Sequence, residues 1–349
     1  MLEVNGYNIV YILLVTFISS LILVPISKKI AMHIGALDYP NERKIHKKIM
    51  PRLGGIAIYS SFLIGYIFYG SNTPQMLSIL IGSFIVLVMG MFDDINPLRA
   101  KYKFLVQVIA ACIVVFYGKI YLTEISLFGV YFQVPSPFNY MVSALIIVSL
   151  INAINLMDGL DGMASGISSI YFLTIAVVAF ILNRAGGLDI ILSIIMLGAT
   201  LGFLVYNFPP ASTFMGDCGS NFLGFMVAVI CLLGFKVTTF TSLIIPLVIL
   251  ALPIFDTGIS ILRRLLKGHG IAEPDREHFH HQLLKMKFSP RVSVIIIYLI
   301  NISFAAVSIF YTLGDNRFAM VIYILLMLLL LFVVLKTDIL FEHKKKNDK

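Results

Sequence analysis

A pair of adjacent carboxylates, Asp93 and Asp94, ends one apolar segment and precedes a short basic stretch that includes Lys103. Neighbouring negative charges at the mouth of a hydrophobic helix repel each other and are costly to desolvate. The pair therefore indicates a bound cation or an acid–base task. The structural alternative is a helix end that is capped and then neutralised by the basic residues that follow it.

A second polar segment, 152–162, directly follows another apolar block and contains two Asn, two Asp and two Gly. Its Asn155, Asp158 and Asp161 side chains can hydrogen-bond a base or a ribose, and its glycines allow a ligand to approach the backbone. The same composition is also ordinary turn and cap chemistry between two helices.

A third segment, 206–221, contains Asn207, Phe214 and an acidic residue, Asp217, with a glycine on either side of it. No Lys or Arg lies within ten residues of Asp217. We therefore predict that this carboxylate is a metal ligand rather than a salt-bridge partner. An N-cap for the following helix is the structural alternative.

Two basic segments complete the polar inventory. The segment 256–291 contains three histidines within four residues, at 278, 280 and 281. Adjacent imidazoles make a poor tetrahedral zinc site and no Cys accompanies them, so contact with phosphate oxygens is favoured over zinc, and a lipid-headgroup contact is the structural alternative. The segment 38–55 combines basic residues with Pro and Gly-Gly, which is typical of an anchor with a bent backbone at the membrane edge.

The composition indicates which elements must position these residues. The 349-residue chain is 59% hydrophobic and 13% charged, with a mean hydropathy of +0.96, whereas soluble domains carry about 25% charged residues. The apolar residues form blocks of roughly 20, the length of a helix that crosses about 30 Å of hydrocarbon. A soluble domain, a disordered chain and a disulfide-stabilised secreted protein are therefore excluded.

We predict an all-α polytopic membrane protein with about eleven transmembrane helices in one domain, 1–336, followed by a basic tail, 337–349. The first span is expected to be retained, because it lacks the basic start of a cleaved signal peptide. The predicted spans are 7–27, 53–70, 76–92, 104–118, 138–154, 163–182, 189–206, 219–235, 237–255, 292–312 and 318–336.

The charged residues give these spans an orientation. All but four of the 26 Lys and Arg fall on one face, and the positive-inside rule makes that face cytoplasmic. The N-terminus is then outside and the C-terminal tail is inside. All but four of the 18 Asp and Glu share the basic face, although acidic residues contribute little to orientation. On the opposite, extracytoplasmic face, alternating residues in 119–137 predict a short β-hairpin.

All five polar segments fall on the predicted cytoplasmic face. Carboxylate-bound Mg²⁺ beside cations suits a diphosphate substrate, which indicates phosphoryl transfer to a lipid acceptor. In order, and over residues 38–290, the segments resemble the polyprenyl-phosphate N-acetylhexosamine-1-phosphate transferase family. The segment 50–55 (MPRLGG) differs from the TPTMGG of the peptidoglycan branch, and 275–281 (DREHFHH) is similar to the DRxHxHH of the branch that uses UDP-N-acetylglucosamine.

The resemblance implies transfer of N-acetylglucosamine 1-phosphate from UDP-N-acetylglucosamine to undecaprenyl phosphate, with release of UMP, as the first membrane step of a teichoic acid or O-antigen type polysaccharide. It implies Mg²⁺ or Mn²⁺ as the cofactor and an active site on the cytoplasmic face of the cell membrane, among membrane lipids. No nucleic acid partner is expected, and a homodimer is compatible with the sequence. Another UDP-hexosamine, or UDP-N-acetylmuramoyl-pentapeptide, stays open as the donor.

The resemblance also assigns roles to individual residues. Direct attack by the lipid phosphate is favoured over a covalent aspartyl intermediate, because a phosphate monoester is largely dianionic at neutral pH. The implied residues are Asp217 and Asp94 for the metal; Asp93, Asp94, Asp217, His280 and His281 for catalysis; Asn155, Asp158, Asn207 and Phe214 around the uridine; and Lys103, one of Lys47 and Lys48, Asp161, Arg276 and His278 as further substrate contacts.

Rival classes have weaker support in the sequence. The segment 158–164 (DGLDGMA) is similar to the opening of the CDP-alcohol phosphatidyltransferase motif, but the Ala-Arg pair and the later Asp residues of that motif are missing. A transporter of anionic or lipid-linked solutes would place its polar groups near the bilayer midplane. Here the acidic residues lie at the ends of predicted spans instead.

Overall fold

Apolar blocks form helices throughout the computed structural model, because a backbone in hydrocarbon must satisfy its N–H and C=O groups within one segment. The structure describes residues 3–4, 6–40, 48–127, 130–182, 187–235, 251–266, 279–314 and 316–336. Its helices are α1 (Ile9–Ile34), α2 (Gly54–Tyr69), α3 (Pro74–Ile95), α4 (Ala100–Cys112, continued by a π-helical turn, Ile113–Tyr117), α5 (Phe138–Met157), α6 (Met163–Ile181), α7 (Leu188–Asn207), α8 (Gly216–Phe235), α9 (Ala251–Leu266), α10 (Phe279–Lys285), α11 (Pro290–Thr312) and α12 (Asn316–Lys336).

The prediction of an all-α polytopic membrane protein is confirmed. Among the described residues, eight helices are long and apolar enough to cross a membrane, and α2 and residues Arg317–Phe332 of α12 are shorter apolar helices. The predicted span 237–255 lies outside the described residues except for 251–255, which begin α9. The tail, 337–349, also lies outside them. The count of eleven spans and their orientation stay predictions.

Short polar residues fix where several helices begin. The Thr73 hydroxyl accepts a hydrogen bond from Met76 N at 3.1 Å, and Pro74 occupies the first position of α3. Ser289 caps α11 in the same way. An N-cap oxygen gives a partner to an N–H group that has none within the helix, and proline at this position loses no hydrogen bond. These caps help to set which residues emerge at the other end of each helix.

Helix α8 is the most buried of the candidate spans, with 94% of the span buried compared with 22% for α1. Glycines allow its neighbours to approach closely. A Cβ added at Gly55 of α2 would meet the backbone of Gly219, and a Cβ added at Gly90 of α3 would meet the backbone of Cys218. Small residues at such crossings let two helix backbones come together in a membrane. The first turns of α8 are therefore held between α2 and α3.

Three pairs of short antiparallel strands connect the helices in the part of the chain that the structure describes. The predicted β-hairpin is confirmed, with Glu124 opposite Gln133 at its open end. It joins the end of α4 to the start of α5, whereas the β3–β4 pair brings the end of α1 to the start of α2. The strands are β1 (Glu3–Val4), β2 (Tyr7–Asn8), β3 (Leu37–Asp38), β4 (Met50–Pro51), β5 (Glu124–Leu127) and β6 (Val130–Gln133).

Candidate active site

The end of α3 meets the beginning of α8, and Asp94 joins the two helices. Its Oδ1 accepts a hydrogen bond from Asp217 N at 2.8 Å, and its Oδ2 accepts one from Cys218 N at 3.0 Å. The first N–H groups of a helix have no partner within that helix, so this carboxylate supplies the missing acceptors. The Asp94 side chain is fully buried. Asp94 therefore anchors α8 from a different helix.

Asp93 has different partners from its neighbour. Its Oδ1 accepts a hydrogen bond from Leu98 N at 2.7 Å, in the turn after α3, and its Oδ2 pairs with the ammonium group of Lys103 in α4. The two adjacent carboxylates thus face separate donors, which offsets their mutual repulsion. The structural alternative for this pair was a helix end that is capped and then neutralised by a following basic residue. The contacts of Asp93 with Leu98 N and Lys103 match that alternative.

Two cations flank Asp217 at the start of α8. Lys103 Nζ lies 2.9 Å from Asp217 Oδ2, and a guanidinium nitrogen of Arg52 lies 3.7 Å from Asp217 Oδ1. The prediction that Asp217 is not a salt-bridge partner is therefore wrong, because Lys103 reaches it from 114 positions away in the sequence. The Asp217 side chain keeps 19% of its surface exposed, so a ligand can still reach the carboxylate.

Arg52 is a site residue that the sequence reasoning missed. Besides Asp217, its guanidinium lies 3.4 Å from Asp94 Oδ1 and 3.5 Å from Asp38 Oδ1. Burial acts to lower the pKa of Arg52, but the carboxylates of Asp94, Asp217 and Asp38 outweigh burial, so the pKa is raised and the guanidinium stays charged. The signal in the sequence that could have found Arg52 is its position in the Pro-Arg-Leu-Gly-Gly segment, 51–55. The composition of that segment indicates only a membrane anchor.

Backbone hydrogen bonds hold the Arg52 segment against the loop before α8. Phe214 N donates to Pro51 O at 2.8 Å, and Gly54 N donates to Phe214 O at 3.0 Å. The loop therefore supplies a carbonyl partner to the N-terminus of α2, where helical N–H groups lack one. Phe214 itself is partly buried and is tied through its main chain to both ends of this segment.

A ladder of side-chain amides supports the first turns of α8 from behind. Asn221 Nδ2 donates to Asp217 O at 2.7 Å, Gln107 Nε2 donates to Asn221 Oδ1 at 3.1 Å, and Asn152 Nδ2 donates to Gln107 Oε1 at 2.7 Å. Gln107 and Asn221 are buried, where an amide without partners is costly. Neither was predicted for the site. Gln107 lies four residues after Lys103, and Asn221 lies four residues after Asp217. This spacing of about one helical turn is the signal in the sequence that could have found them.

Asn207 joins two loops at the same end of the bundle. The buried amide accepts hydrogen bonds from Gly162 N at 3.0 Å and Ser165 Oγ at 2.9 Å, and it donates one to Thr213 O at 3.0 Å. Gly162 lies in the loop before α6, and Thr213 lies in the loop after α7. The hydrogen bonds of Asn207 therefore position these loops. Its expected contact with the uridine stays a prediction.

The segment 152–162 places its polar side chains beside the start of α8. Asn155 Nδ2 donates to Ser220 Oγ at 2.8 Å, and Asp161 Oδ2 accepts a hydrogen bond from Ala211 N at 2.9 Å. The partly buried Asp158 carboxylate accepts no hydrogen bond from any residue that the structure describes. Turn chemistry therefore accounts for Asp161 but not for Asp158.

The electrostatic surroundings of Asp158 disfavour its negative charge. Burial raises the pKa of Asp158 to about 8, the negative charge of Asp217 adds to this effect, and Arg52 opposes it. Desolvation and a like charge both favour the neutral form of a carboxyl group. A further anion is thus unfavourable at this position unless a cation accompanies it.

The histidine segment is described only in part. Arg276 and His278 lie outside the described residues. In the other basic segment, 38–55, Lys47 also lies outside them, and Lys48 is exposed before β4. His280 and His281 lie on α10, whose first residue, Phe279, donates its backbone N–H to Asp256 Oδ1 at 2.8 Å. The Phe279 ring belongs to an apolar cluster with Met157 and Leu160. This packing places the histidine-bearing helix next to the segment that carries Asp158.

Comparisons with known proteins identify the family of the chain. The model of the family described as glycosyl transferase family 4 matches residues 76–235, which include Asp93, Asp94, Lys103 and Asp217. The chain is 43% identical over 314 residues to a probable undecaprenyl-phosphate N-acetylglucosaminyl 1-phosphate transferase of Bacillus subtilis, covering 87% of this chain and 85% of that protein.

Two further relatives come from other bacteria. A decaprenyl-phosphate N-acetylglucosaminephosphotransferase of Mycobacterium tuberculosis is 32% identical over 84% of this chain and 80% of its own length. An undecaprenyl-phosphate alpha-N-acetylglucosaminyl 1-phosphate transferase of Escherichia coli is 29% identical over 81% of this chain and 78% of its own length. The chain therefore belongs to glycosyl transferase family 4, among the polyprenyl-phosphate N-acetylhexosamine-1-phosphate transferases.

Proposed function

We propose that this protein transfers N-acetylglucosamine 1-phosphate from UDP-N-acetylglucosamine to undecaprenyl phosphate and releases UMP. The observation that carries the proposal is the position of Asp217, partly exposed at the start of α8 and flanked by Lys103 and Arg52. Relatives that share most of the chain are named for hexosamine-phosphate transfer to prenyl phosphates. A carboxylate between two fixed cations suits a reaction in which two phosphorylated substrates meet.

The carboxylates at this end of the bundle fit Mg²⁺. Asp217 is partly exposed and Asp158 accepts no hydrogen bond within the described residues, whereas both oxygens of Asp94 accept backbone N–H groups. We therefore assign the ion to Asp217 and Asp158, with Asp94 as the anchor of α8. Two carboxylates are enough for Mg²⁺, which usually binds one or two and completes its shell with phosphates and water.

The chain's own residues then have distinct tasks in the transfer. Lys103 and Arg52 offset the repulsion between the acceptor phosphate and the donor diphosphate. The hydrogen bonds around the start of α8 fix these two side chains, so the two phosphate groups are held in line. A bound Mg²⁺ supplies charge neutralisation at the diphosphate. An oxygen of the acceptor phosphate attacks the sugar-linked phosphorus, and the P–O bond to UMP breaks. The anomeric carbon is not touched, so its configuration is retained.

The orientation and the pathway belong to the same proposal. Because nearly all basic residues share the site's side of the membrane, we place the site on the cytoplasmic face of the cell membrane. The product then serves as the first lipid-linked unit of an envelope polysaccharide of the teichoic acid or O-antigen type. A different UDP-hexosamine is the second candidate donor, because the branch motifs leave the sugar open.

The decisive experiment measures UMP release by the purified protein in detergent, with undecaprenyl phosphate, Mg²⁺ and a panel of UDP-sugars. We expect UMP with UDP-N-acetylglucosamine and a lipid product whose mass includes one N-acetylhexosamine diphosphate. Transport across a membrane is impossible in detergent, so UMP formation also separates the transferase from a transporter. Absence of UMP with every donor would contradict the proposal.

Replacing Asp158 by asparagine tests the assignment of the second carboxylate. The amide keeps the size of the side chain but loses the charge, so the Mg²⁺ concentration for half-maximal UMP release should rise by about tenfold. The matched control is Asp161→Asn, whose amide oxygen can still accept the hydrogen bond from Ala211 N. An unchanged Mg²⁺ requirement in Asp158→Asn would exclude Asp158 from the metal site.

A further inference from the structure

Tyr298 of α11 reaches the turn 158–162, which joins α5 to α6. Its hydroxyl group donates a hydrogen bond to Gly162 O at 2.5 Å, at the short end of the range for O–H···O bonds. Its ring packs on an apolar cluster that includes Met157 and Leu160, from the same stretch of chain. One side chain of α11 therefore contacts the turn through both its ring and its hydroxyl group.

Gly162 offers no side chain of its own to hold the start of α6. It stands at the N-cap of that helix with a φ of +75°, and it makes no side-chain cap. Two groups close to it in sequence, Gly166 N and Ser165 Oγ, also donate to Gly162 O, at 2.9 and 3.2 Å. Among the described residues, Tyr298 is the donor to this carbonyl that comes from a different helix. The phenol group therefore ties the turn to α11.

The contact depends on a second glycine, Gly166, one turn into α6. A Cβ added at Gly166 would overlap the phenol oxygen and the ring carbons of Tyr298. Small residues at such crossings let two membrane helices approach closely. The Tyr298 hydroxyl group thus reaches Gly162 O because Gly166 leaves room for the ring.

The position of Asp158 depends on the backbone of the turn. Its carboxylate accepts no hydrogen bond from any residue that the structure describes. At one end of the turn, Asp158 N donates to Asn155 O at 3.1 Å. At the other end, Gly162 N donates to Asn207 Oδ1 at 3.0 Å and Gly162 O accepts from Tyr298. The turn is fixed at both ends, and Tyr298 provides one of the restraints at the second end.

Resting on the proposed function, we propose that Tyr298 is a positioning residue for the donor half of the active site. Through Gly162 O it fixes the turn that places Asp158, the carboxylate assigned to Mg²⁺ and hence to the diphosphate of the UDP-sugar. Lys103 is held by Asp93 and by α8, so a phosphate group at Lys103 does not depend on the turn. The phenol group acts through the backbone and does not take part in the chemistry.

Tyr298→Phe removes the hydroxyl group and keeps the ring. We expect the KM for UDP-N-acetylglucosamine and the Mg²⁺ concentration for half-maximal UMP release each to rise by about fivefold, while the KM for undecaprenyl phosphate stays unchanged. The matched control is Tyr171→Phe, because the buried Tyr171 hydroxyl group also donates to a backbone carbonyl, Val227 O, at 3.2 Å. Equal donor KM values in the two variants would overturn the proposal, as would a parallel rise in both substrates' KM values in Tyr298→Phe.

Gly166→Ala tests the same contact from the other helix. The added methyl group should displace the Tyr298 ring and raise the donor KM by about fivefold, again without a change in the acceptor KM. In the double variant, Gly166→Ala with Tyr298→Phe, we expect no further rise, because the hydrogen bond is already lost. Independent, additive effects of the two substitutions would contradict a shared contact.

Hydrogen–deuterium exchange in the metal-free protein, without substrates, measures the restraint on the turn directly. Amides of residues 159–166 should exchange about fivefold faster in Tyr298→Phe than in the unmodified protein, and those of the first turn of α8 should not change. Unchanged exchange in 159–166 would overturn the positioning role. The readout needs no turnover, so a failure of the proposed transfer, seen as absent UMP, is distinguishable from a failure of this role.

Discussion

Asp217→Asn should abolish UMP release, with a loss of about a thousandfold or more. The substitution keeps the shape of the side chain and its backbone hydrogen bonds, but it removes the charge that pairs with Lys103 and Arg52. Without that charge Lys103 and Arg52 lose the carboxylate that they share, although each keeps another carboxylate partner, and the proposed metal loses one of two carboxylates. The measurement is the initial rate of UMP formation by purified protein at saturating donor, acceptor and Mg²⁺.

The control for this change is Glu124→Gln, an acid-to-amide substitution at an exposed residue in the β-hairpin. That hairpin follows the far end of α4, at the opposite end of the bundle from Lys103. We expect its turnover to equal that of the unmodified protein. Turnover of Asp217→Asn close to this control would remove Asp217 from the reaction and with it the central assignment of the site.

Gly216→Ala should lower UMP release by about 100-fold, although the change adds only a methyl group and removes no charged or polar side chain. Gly216 has a φ of +71°, which an alanine adopts only at a cost of about 1–2 kcal/mol. An added Cβ would also meet the carbonyl oxygen of Arg52 and the carboxylate of Asp94. Relief of these contacts requires the start of α8 to move, and a displacement of about 1 Å in a catalytic group costs roughly 10²-fold in rate.

The same helix offers a matched control for the glycine change. An added Cβ at Gly234 meets no heavy atom of the described residues within 4 Å, so Gly234→Ala should leave turnover unchanged and stabilise the helix by about 0.5–1 kcal/mol. The two variants should be compared by thermal unfolding in detergent and by UMP release. If Gly216→Ala matched Gly234→Ala in both measurements, the close approach around Asp94 would not be required for activity.

The membrane helices were predictable because hydrocarbon permits few alternatives to a helix of about 20 apolar residues. The β-hairpin was predictable because its alternating pattern is local. The segments that carry Asp94, Asp158 and Asp217 were also found from sequence, since carboxylates at the ends of apolar spans are unusual. Each of these signals is contained within one segment of the chain.

The contacts between segments were not predictable in the same way. A search within ten residues of Asp217 finds no base, yet Arg52 and Lys103 approach it once α2, α4 and α8 are packed. Likewise, nothing near Asp94 indicates that its acceptors serve the N–H groups of another helix. A cap supplied from within one segment has a sequence signature, whereas a cap supplied from a distant helix depends on the fold.

The cross-helix cap by Asp94 also has a consequence for biosynthesis. The ribosome makes Asp94 123 residues before the amide that it binds, which at about 5–20 residues per second corresponds to roughly ten seconds. During this interval α3 reaches the membrane with a carboxylate that lacks its native donors. Docking of α8 then satisfies Asp94 and brings Asp217 to Lys103 in one event. Assembly of the proposed catalytic centre is thus coupled to the arrival of the eighth helix, and a nascent chain that ends before α8 lacks Asp217 and cannot form it.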